Sequence, residues 1–476
     1  MNYAQLRSAG LYIDGVFEPV TEPDTRYDRW SHSPLGEAQR GTSDDAIRAV
    51  DAAERALANL LTPSARAQIF DKVREALHAN SEEFAQLITA EIGKPIQASR
   101  VEVSRALDTL RFCAEETTRL TGELVPLDAT PSGDGTYAFT VFEPRGIVAA
   151  ITPFNFPLNL LLHKVGPALS ASNSVVVKPS DRAPLIAHAI VTLFHNAGLP
   201  AGKLNLVTGN PQEIVGAWQK DPRIHVVTFT GSSRVGWELK RQAPEKHHVL
   251  ELGSNTALVV TESADLRRAA EVAAMSGLGN SGQACVSLQR IYVDHSVIDE
   301  FISLLVDSVS RMKFGNPYEE DTVVGPLVSD DEVARLDRWI HEAQQSGAQV
   351  ALGGSSDGKV LTPTVMVSAA EDSKVVCQEV FGPVLTVNSV SSLDDALAKV
   401  NASDFGLNVG LFTESVSEAL SFSRRAQAGT VLVNMAPSYR ADNMPYGGVK
   451  DSGNGREGVR YATRELSHEK LVILHG

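Results

Sequence analysis

Cysteine is scarce in this 476-residue chain, which has only Cys113, Cys285 and Cys377. Three widely spaced thiols exclude a disulfide-stapled secreted scaffold, and no paired Cys or His spacing indicates a metal site. No run of residues approaches the roughly 20 apolar positions that a membrane helix needs. The N-terminus has no basic segment followed by an apolar one, so no signal peptide is predicted. These absences predict a cytoplasmic protein without a membrane partner.

Positive charge is also in short supply. The chain has 43 Lys and Arg against 58 Asp and Glu, a formal net charge of -15. Such a surface repels nucleic-acid backbones, so no nucleic-acid partner is expected, and a small anion would need a locally basic pocket. The 43% of hydrophobic and 21% of charged residues are typical of a globular protein. The length exceeds what one hydrophobic core supports, which predicts at least two domains.

Short apolar strand patterns alternate with helical patterns along the chain. Continuous apolar runs are typical of strands buried in a parallel sheet. They occur at residues 146–151, 174–178, 204–207, 225–230 and 248–251. Because helical patterns separate them, they predict βαβ units and a doubly wound α/β sheet. The domain boundary is expected in a short connection, at Gly253-Ser254.

Helix and hairpin signals surround this sheet. Thr42 or Ser43 can cap a helix that continues to about residue 59. Residues 120–143 are rich in Gly, Pro, Asp and Ser and end in an alternating strand, which predicts an inserted hairpin. The apolar segment 470–474 predicts a last strand that completes a sheet elsewhere, for example in a partner subunit. Further helices are predicted at residues 64–91 (one or two), 99–118, 158–171, 184–196 and 297–312.

One cysteine lies in a context that favours reactivity. Cys285 ends the turn Gly279-Asn-Ser-Gly-Gln-Ala-Cys285, where backbone amides are expected to lower the thiol pKa and favour the thiolate. The alternative for an intracellular cysteine is a small buried hydrophobe, and we assign that role to Cys113 and Cys377. The turn therefore indicates a candidate nucleophile.

Several polar residues follow predicted strands. Asn155 lies between two prolines and could donate its amide to an oxyanion, although such an Asn is also ordinary turn chemistry. Gly231 links a strand to a helix whose free amides could hold a pyrophosphate. Lys178 and Asp181, at the end of another strand, suit a ribose diol. Two further acids, Glu251 and Glu379, would by default be paired or exposed.

Together these segments resemble the NAD(P)-dependent aldehyde dehydrogenase superfamily. The resemblance covers essentially the whole chain, and one departure is Ser254, where many members have a second Gly. The matching motifs keep the family's order and spacing: Pro153-Phe-Asn-Phe-Pro157, Lys178-Pro-Ser-Asp181, Phe229-Thr-Gly-Ser232, Glu251-Leu-Gly253, Gly282-Gln-Ala-Cys285, Glu379-Val-Phe-Gly-Pro-Val384 and Pro445-Tyr-Gly-Gly-Val-Lys-Asp-Ser-Gly453.

The resemblance implies an α/β fold with three regions. A Rossmann-like cofactor domain would comprise residues 1–120 and 142–252, and an α/β catalytic domain residues 253–455. A small β oligomerisation element would comprise residues 121–141 and 456–476. The family's assembly implies a homodimer or a homotetramer.

The resemblance also implies catalytic and cofactor roles. Cys285 would attack the aldehyde, Asn155 would hold the oxyanion, and Glu251 would activate the water that hydrolyses the thioester. NAD is expected as the cofactor because Asp181 would repel a 2′-phosphate, with NADP as the alternative; no metal is implied. The implied cofactor-binding residues are Thr152, Pro153, Phe154, Lys178, Ser180, Asp181, Gly231, Ser232, Glu379 and Phe381.

Family positions that line the substrate tunnel are polar here. Two arginines in a tunnel need an anionic ligand to compensate them, which predicts a short anionic aldehyde. Phosphonoacetaldehyde is the first choice, and phosphate, sulfonate or carboxylate groups are also compatible. The alternative for Arg105 is an exposed helix face with Asp108 as its partner. The implied substrate-binding residues are Arg105, Asn159, His163, Ser438, Arg440 and Tyr446.

Other functions remain open at this point. The match to phosphorylated-aldehyde enzymes is incomplete, because Ala284 stands where they have an arginine and Phe156 lacks a hydroxyl. A lactaldehyde or succinate-semialdehyde dehydrogenase is the alternative within the family. A CoA-acylating enzyme is disfavoured by Glu251, since only hydrolysis needs that base. A non-catalytic relative would be expected to lose Cys285.

Overall fold

The computed structural model describes residues 7–475. Residues 1–6 and residue 476 lie outside the described part, and so does the start of the segment on which the signal-peptide prediction rests. No helix in residues 7–475 is long and apolar enough to cross a membrane. Fifteen α-helices occur in this range: Ser43–Ala56, Pro63–Ala79, Ser81–Ile92, Ile96–Arg119, Asn159–Ser170, Pro184–Asn196, Pro211–Lys220, Ser233–Gln242, Leu266–Leu278, Ile298–Ser310, Asp330–Gln345, Lys374–Cys377, Leu393–Asn401, Val416–Arg425 and Val459–Glu465.

Local sequence explains where the first helices begin and end. Thr42 caps the first helix through a capping box, in which its hydroxyl accepts from the Asp45 amide and the Asp45 carboxylate accepts from the Thr42 amide. The predicted helical stretch 64–91 divides into two helices at Asn80. The next helix begins at Ile96, three residues before the predicted start at residue 99. Pro95 precedes it, and a proline is tolerated at a helix start because its missing N–H would have no partner there.

The first sheet has eight strands within residues 7–475, and its centre is parallel as predicted. Short antiparallel strands extend it, Tyr12–Ile13 and Val16–Phe17 at one edge and Gly453–Asn454 at the other. Its five parallel strands are, in spatial order, His247–Glu251, Ile224–Thr230, Ile147–Ile151, Ser174–Lys178 and Leu204–Leu206.

Helices cover both faces of this sheet. Val175 and Val177 belong to one hydrophobic core, whereas Val176 between them belongs to the core on the opposite face. This alternation explains the continuous apolar runs in the sequence, because each strand is buried on both sides. The sheet is therefore the doubly wound α/β layer that the sequence predicts.

The second sheet has seven strands in the described range. Six of them are parallel, and the edge strand Gln349–Leu352 is antiparallel to its neighbour. The chain leaves the first sheet at Glu251 and enters the second at Ala257, so Gly253-Ser254 lies in the connection. The strand Gly453–Asn454 nevertheless returns to the first sheet. In spatial order the second sheet comprises Gln349–Leu352, Thr364–Val367, Val384–Val390, Arg290–Asp294, Ala257–Val260, Asn408–Phe412 and Thr430–Val433.

A third, smaller sheet combines the inserted hairpin with the end of the chain. Ser467–His475 pairs antiparallel with Thr136–Pro144, which also pairs with Leu124–Val125. The last strand thus completes a sheet with a distant segment, as expected, but this segment is the insertion of the same chain and not a partner subunit. The helix Val459–Glu465 just before the last strand packs on the helices Asn159–Ser170 and Ile96–Arg119. Shorter strands are Ser8–Ala9, Pro23–Tyr27, Pro34–Gln39, Lys313–Phe314, Thr322–Val324, Phe405–Gly406 and Val449–Lys450.

Candidate active site

Four of the predicted site residues lie at the carboxyl ends of neighbouring parallel strands. Thr152 donates its backbone N–H to the carbonyl of Lys178 at 3.1 Å, and Gly231 donates to the carbonyl of Glu251 at 3.1 Å. The sheet thus brings together segments that are up to 99 positions apart in the printed sequence. This edge is where open α/β sheets bind their ligands.

A groove of about 620 Å³ opens beside Lys178. The buried Lys178 ammonium donates to Asp181 at 2.5 Å and to the Pro179 carbonyl at 2.8 Å. Burial lowers the pKa of Lys178, and Asp181 partly offsets this effect. A cation and a carboxylate side by side can hold the two hydroxyls of a ribose. Other residues of the groove include Ser180 and the charged side chains Glu22, Asp24, Arg40 and Glu213.

Gly231 and Ser232 form the junction between a strand and the helix Ser233–Gln242. A β-carbon at Gly231 would lie 2.4 Å from the ring of Phe229, so a larger residue would require that ring to move. Ser232 is the N-cap of the helix, whose first amides can bind an anion such as a pyrophosphate.

The loop that carries Glu379 and Phe381 contacts the segments of Ser254 and Phe154. Glu379 accepts a hydrogen bond from the Ser254 amide at 2.9 Å, and burial raises its pKa to about 7. A β-carbon at Gly253 would lie 2.5 Å from the Glu379 carboxylate, so the motif needs glycine there. Phe381 packs edge-on against Phe154, with ring centroids 5.8 Å apart, and Pro153 is half-buried beside Phe154.

Cys285 follows a turn with three consecutive positive φ angles, at Asn280, Ser281 and Gly282. Its Sγ lies 3.1 Å from the hydroxyl of Tyr446. Burial raises the pKa of Cys285 to about 11, although the Tyr446 hydrogen bond acts in the opposite direction. The expected low thiol pKa is therefore wrong for the protein alone, because desolvation outweighs the neighbouring dipoles.

Glu251 is a deeply buried carboxyl group, only 3% exposed. Within residues 7–475, neither of its oxygens has a hydrogen-bond partner. Burial, and then repulsion from Glu457, raise its pKa well above the ordinary value. A β-carbon at Gly447 would lie 3.0 Å from one of its oxygens, so the chain passes close by. An unbonded carboxyl with a high pKa is suited to accept a proton from water.

Asn155 is tied to the loop of the nucleophile. Its side-chain amide donates to the carbonyl of Gln283, two residues before Cys285, at 3.0 Å. The buried ammonium of Lys94 donates to the Asn155 carbonyl at 3.0 Å and lies 3.6 Å from the ring centroid of Phe156. Since an amide nitrogen has two hydrogens, the second Asn155 hydrogen is available to an oxyanion.

A cavity of about 390 Å³ lies in front of Cys285. His163 is predicted to line it, but the structure places this side chain behind the wall. There His163 is buried, with Nε2 at 2.8 Å from Asp442. The other predicted substrate-binding residues line the cavity: Arg105, Asn159, Ser438, Arg440 and Tyr446.

Both arginines of the cavity have carboxylate partners. Arg105 donates to both oxygens of Asp442, at 3.1 and 2.7 Å. The alternative pairing with Asp108 is wrong, because Asp108 pairs with Arg111. Arg440 donates to Glu457 at 2.8 Å, and its guanidinium lies 3.8 Å from the ring centroid of Tyr446.

Sequence reasoning missed the buried charges around this cavity. Lys94 follows Gly93 and precedes Pro95, and Lys164 interrupts an apolar helix; both patterns could have indicated a buried lysine. The carboxylates that pair with these cations carry no such signal, because they come from distant segments. The missed residues are Lys94, Glu102, Lys164, Asp442 and Glu457.

A half-buried thiol, an unbonded carboxyl and an amide fixed by a hydrogen bond thus lie beside a nucleotide-sized groove at the edge of a doubly wound sheet. These features define a cofactor-dependent oxidoreductase with a cysteine nucleophile. In the described part of the chain, no group of three or more His, Cys, Asp or Glu side chains is placed to hold a metal ion.

The family model of the Aldehyde dehydrogenase family matches residues 21–472. The chain is 41% identical to the 3-sulfolactaldehyde dehydrogenase of Priestia aryabhattai over 99% of both proteins. It is 37% identical to the lactaldehyde dehydrogenase of Methanococcus aeolicus, over 92% of this chain and 93% of that protein. The NADP-dependent glyceraldehyde-3-phosphate dehydrogenase of Bacillus halodurans C-125, solved with NADP, superimposes with a TM-score of 0.96 at 29% identity, covering 98% of this chain and 99% of that one. The chain belongs to the aldehyde dehydrogenase family, which confirms the predicted fold and enzyme class.

Proposed function

We propose that this protein oxidises a short aldehyde bearing a compact anionic group, with a sulfonate as first choice, to the carboxylic acid. The observation that carries the proposal is that Arg105 and Arg440 line the same cavity as Cys285. Guanidinium groups bind oxyanions through charge-assisted hydrogen bonds, while the aldehyde end reaches the thiol. The similarity to a 3-sulfolactaldehyde dehydrogenase favours a sulfonate over the phosphonate expected from the sequence.

The residues of the site support a covalent mechanism. Cys285 adds to the carbonyl carbon as its proton leaves to solvent, and the Asn155 amide with the Cys285 backbone N–H stabilises the resulting oxyanion. A bound NAD would supply the acceptor for the hydride of this carbon. Glu251 then takes a proton from the water that hydrolyses the thioester, which releases the acid and the thiol.

The cofactor-binding residues fit a nicotinamide dinucleotide. Lys178 and Asp181 would hold the adenosine ribose, Gly231 with Ser232 the pyrophosphate, and Glu379 the second ribose. The groove beside Asp181 contains three further acids and one arginine. This excess of negative charge favours NAD over the more negative NADP. The similar NADP-dependent enzyme keeps NADP as the alternative.

Replacing either cavity arginine tests the substrate class. Arg105→Met and Arg440→Met should each lower kcat/KM for a sulfonate-bearing aldehyde about ten- to a hundredfold, because a charge-assisted hydrogen bond is lost. Arg111→Met is the matched control, since Arg111 lies on the same helix but is exposed and pairs with Asp108. Turnover of a neutral short aldehyde should remain unchanged in all three variants. Equal losses on anionic and neutral aldehydes would contradict the proposal.

Lactaldehyde is the second candidate substrate. Each cavity arginine already has a carboxylate partner, and a lactaldehyde dehydrogenase is 37% identical. Succinate semialdehyde carries a monoanion and belongs in the same substrate panel. The unbonded, buried Glu251 favours hydrolysis over transfer to CoA.

We also propose a homodimer or homotetramer, joined through the three-stranded sheet, as the working assembly. Leu471, Ile473 and Leu474 are about half exposed on its terminal strand, and apolar groups of this kind are typical of subunit contacts. Because Cys285 must remain a thiol, we place the enzyme in a reducing compartment, the cytoplasm.

A further inference from the structure

Buried carboxylates compensate the cations that face the substrate cavity. Lys94, Arg105 and Arg440 line the cavity, which on its own suggests a strongly positive site. A salt bridge nevertheless holds each of them. The pairs are Lys94–Glu102 at 2.6 Å, Arg105–Asp442 at 2.7 Å and Arg440–Glu457 at 2.8 Å.

One further cation contributes to the charge balance. Lys164 lies behind Arg440 and shares Glu457 with it, at 2.9 Å, so two cations meet one carboxylate. On the Glu251 side, Arg456 donates to two backbone carbonyls and does not line the cavity. Lys164, Arg440 and Glu457 therefore leave the cavity one uncompensated positive charge.

The remaining titratable groups around the cavity are neutral near pH 7 or do not line it. Burial raises the pKa of Cys285 to about 11 and that of Tyr446 well above its ordinary value, so both groups are protonated near pH 7. Burial also raises the pKa of Glu251, but this side chain does not line the cavity. Burial, and then Arg440, lower the pKa of His163, so the imidazole is neutral. Glu379 accepts from Ser254 on the cofactor side and is not part of the cavity wall.

Asp442 is the acceptor that occupies Arg105. Its two oxygens accept from Nε and Nη2 of Arg105, and one of them also accepts from Asn159 at 3.0 Å and lies 2.8 Å from His163. Asp442 is 6% exposed. Burial alone would raise its pKa, but hydrogen bonds from His163 and Arg105 hold that pKa well below its ordinary value. Asp442 is therefore ionised, and part of the Arg105 fork is unavailable to a substrate.

We infer that this cavity selects a singly charged anion over a doubly charged one, and that Asp442 is the residue that determines this selectivity. The inference rests on the proposed function, since it specifies the charge of the anionic aldehyde. A monoanion balances the single excess positive charge, whereas a dianion leaves a net negative charge beside Asp442 and Glu457 in a partly desolvated site. A sulfonate or a carboxylate meets this condition, and a fully ionised phosphonate does not.

Sulfoacetaldehyde and phosphonoacetaldehyde are matched probes for the test. They have the same carbon chain, but the sulfonate is a monoanion throughout, whereas the phosphonate loses a second proton near neutral pH, as a phosphate monoester does at about pH 6. The ratio of their kcat/KM values cancels the enzyme's own ionisations. We expect the phosphonate-to-sulfonate ratio to fall by up to about tenfold per pH unit above the second phosphonate pKa. A ratio that stays flat or rises with pH would overturn the inference.

Asp442→Asn tests the assigned residue. This variant removes one negative charge while keeping the side-chain shape. The phosphonate-to-sulfonate ratio of kcat/KM at about pH 8.5 should therefore rise about tenfold. Asp108→Asn is the control, because Asp108 is exposed on the helix that carries Arg105. If both variants give the wild-type ratio, Asp442 does not determine the selectivity. If Asp442→Asn does not fold, the pH series on the unaltered protein still decides the inference.

Propanal separates this inference from the proposed function. If the wild-type protein oxidises propanal and sulfoacetaldehyde with equal kcat/KM, the anionic-aldehyde proposal fails. The phosphonate-to-sulfonate ratio tests charge selectivity independently of that outcome.

Discussion

Burial disfavours the ionised forms of the two proposed catalytic side chains, Cys285 and Glu251. Burial raises the pKa of Cys285 to about 11 and that of Glu251 well above its ordinary value. Each of these groups is therefore a stronger base once it has lost its proton, but the proton is harder to remove. Deprotonation of the thiol must therefore accompany substrate attack, and the Tyr446 hydroxyl at 3.1 Å is its nearest polar partner among the described contacts.

The role of Glu251 can be separated from that of Cys285 by pre-steady-state kinetics. In Glu251→Gln, the thioester should still form, but its hydrolysis should be slow because no base accepts the proton of water. We expect a burst of reduced cofactor at 340 nm equal to the active sites, followed by a steady state at least about a hundredfold slower than wild type. Cys285→Ala is the control and should give no burst. An equal loss of both phases would contradict the deacylation role.

Asp181 provides a test of coenzyme choice. Its carboxylate lies in a groove with other acids, so it should repel the 2′-phosphate of NADP and favour NAD. We expect a higher kcat/KM for NAD than for NADP in the wild type. Asp181→Asn should narrow this preference by about tenfold, because one negative charge is removed. Glu75→Gln, an exposed change on a distant helix, should leave it unaltered. A wild-type preference for NADP would overturn this assignment.

At the scale of the secondary-structure elements, buried carboxylates replace ordinary caps at two helix N-termini. Glu102 accepts from the amides of Leu158 and Asn159 at the start of one helix. Glu91 accepts from the amides of Leu185 and Ile186, at 2.8 and 2.9 Å, at the start of another. Both sets of contacts connect helices that are distant in sequence, and the Glu102 contacts also hold the segment that follows Asn155.

The Glu91 cap makes stability depend on pH. Burial raises the pKa of Glu91 to about 7 from 4.5, although the two amides favour the charged form. A raised folded-state pKa means that the contribution of Glu91 to stability is fully present below about pH 4.5. This contribution is lost as the pH rises to about 7, and the free energy of unfolding falls by about 3 kcal/mol in total.

Glu91→Gln removes this titration. Between about pH 5 and about pH 8, the Tm of the variant should fall by several degrees less than that of the wild type. Glu75→Gln, on an exposed helix face, should retain the wild-type pH dependence. Thermal scans at matched ionic strength measure the difference. Identical pH profiles in all three proteins would show that Glu91 does not titrate in this range.

At the scale of the whole molecule, the terminal strand links the end of the chain to the hairpin inserted after residue 120. The three-stranded sheet leaves Leu471 about half exposed, with Ile473 two residues further along the same strand. Alternate residues of a strand point to the same face, so these two side chains form one apolar surface. We propose this surface as the contact between subunits.

Charge on that surface should disrupt the assembly. The double variant Leu471→Lys/Ile473→Lys should elute as a smaller species in size-exclusion chromatography with light scattering, because two buried cations oppose association. Glu75→Lys is the control, since its side chain is exposed on the helix Pro63–Ala79, away from this sheet. If the double variant keeps the wild-type molar mass, the subunit contact lies elsewhere.

The sequence by itself determined the parallel strands of the first sheet, the doubly wound architecture and, through the family resemblance, the enzyme class. Runs such as Ile147–Ile151 have no polar positions, and this pattern is local and typical of strands buried on both faces. The motifs around Cys285 and Glu251 were equally recognisable, because each is a short stretch with fixed neighbours.

Only the tertiary structure decided the protonation of the site and the charge of the cavity. The low pKa expected for Cys285 was wrong because desolvation depends on everything packed around the thiol, including Tyr446. The counterion of Arg105 is Asp442, 337 positions away, and not the nearby Asp108. Electrostatic energies depend on distance in space and on burial, and neither quantity can be derived from separation along the chain.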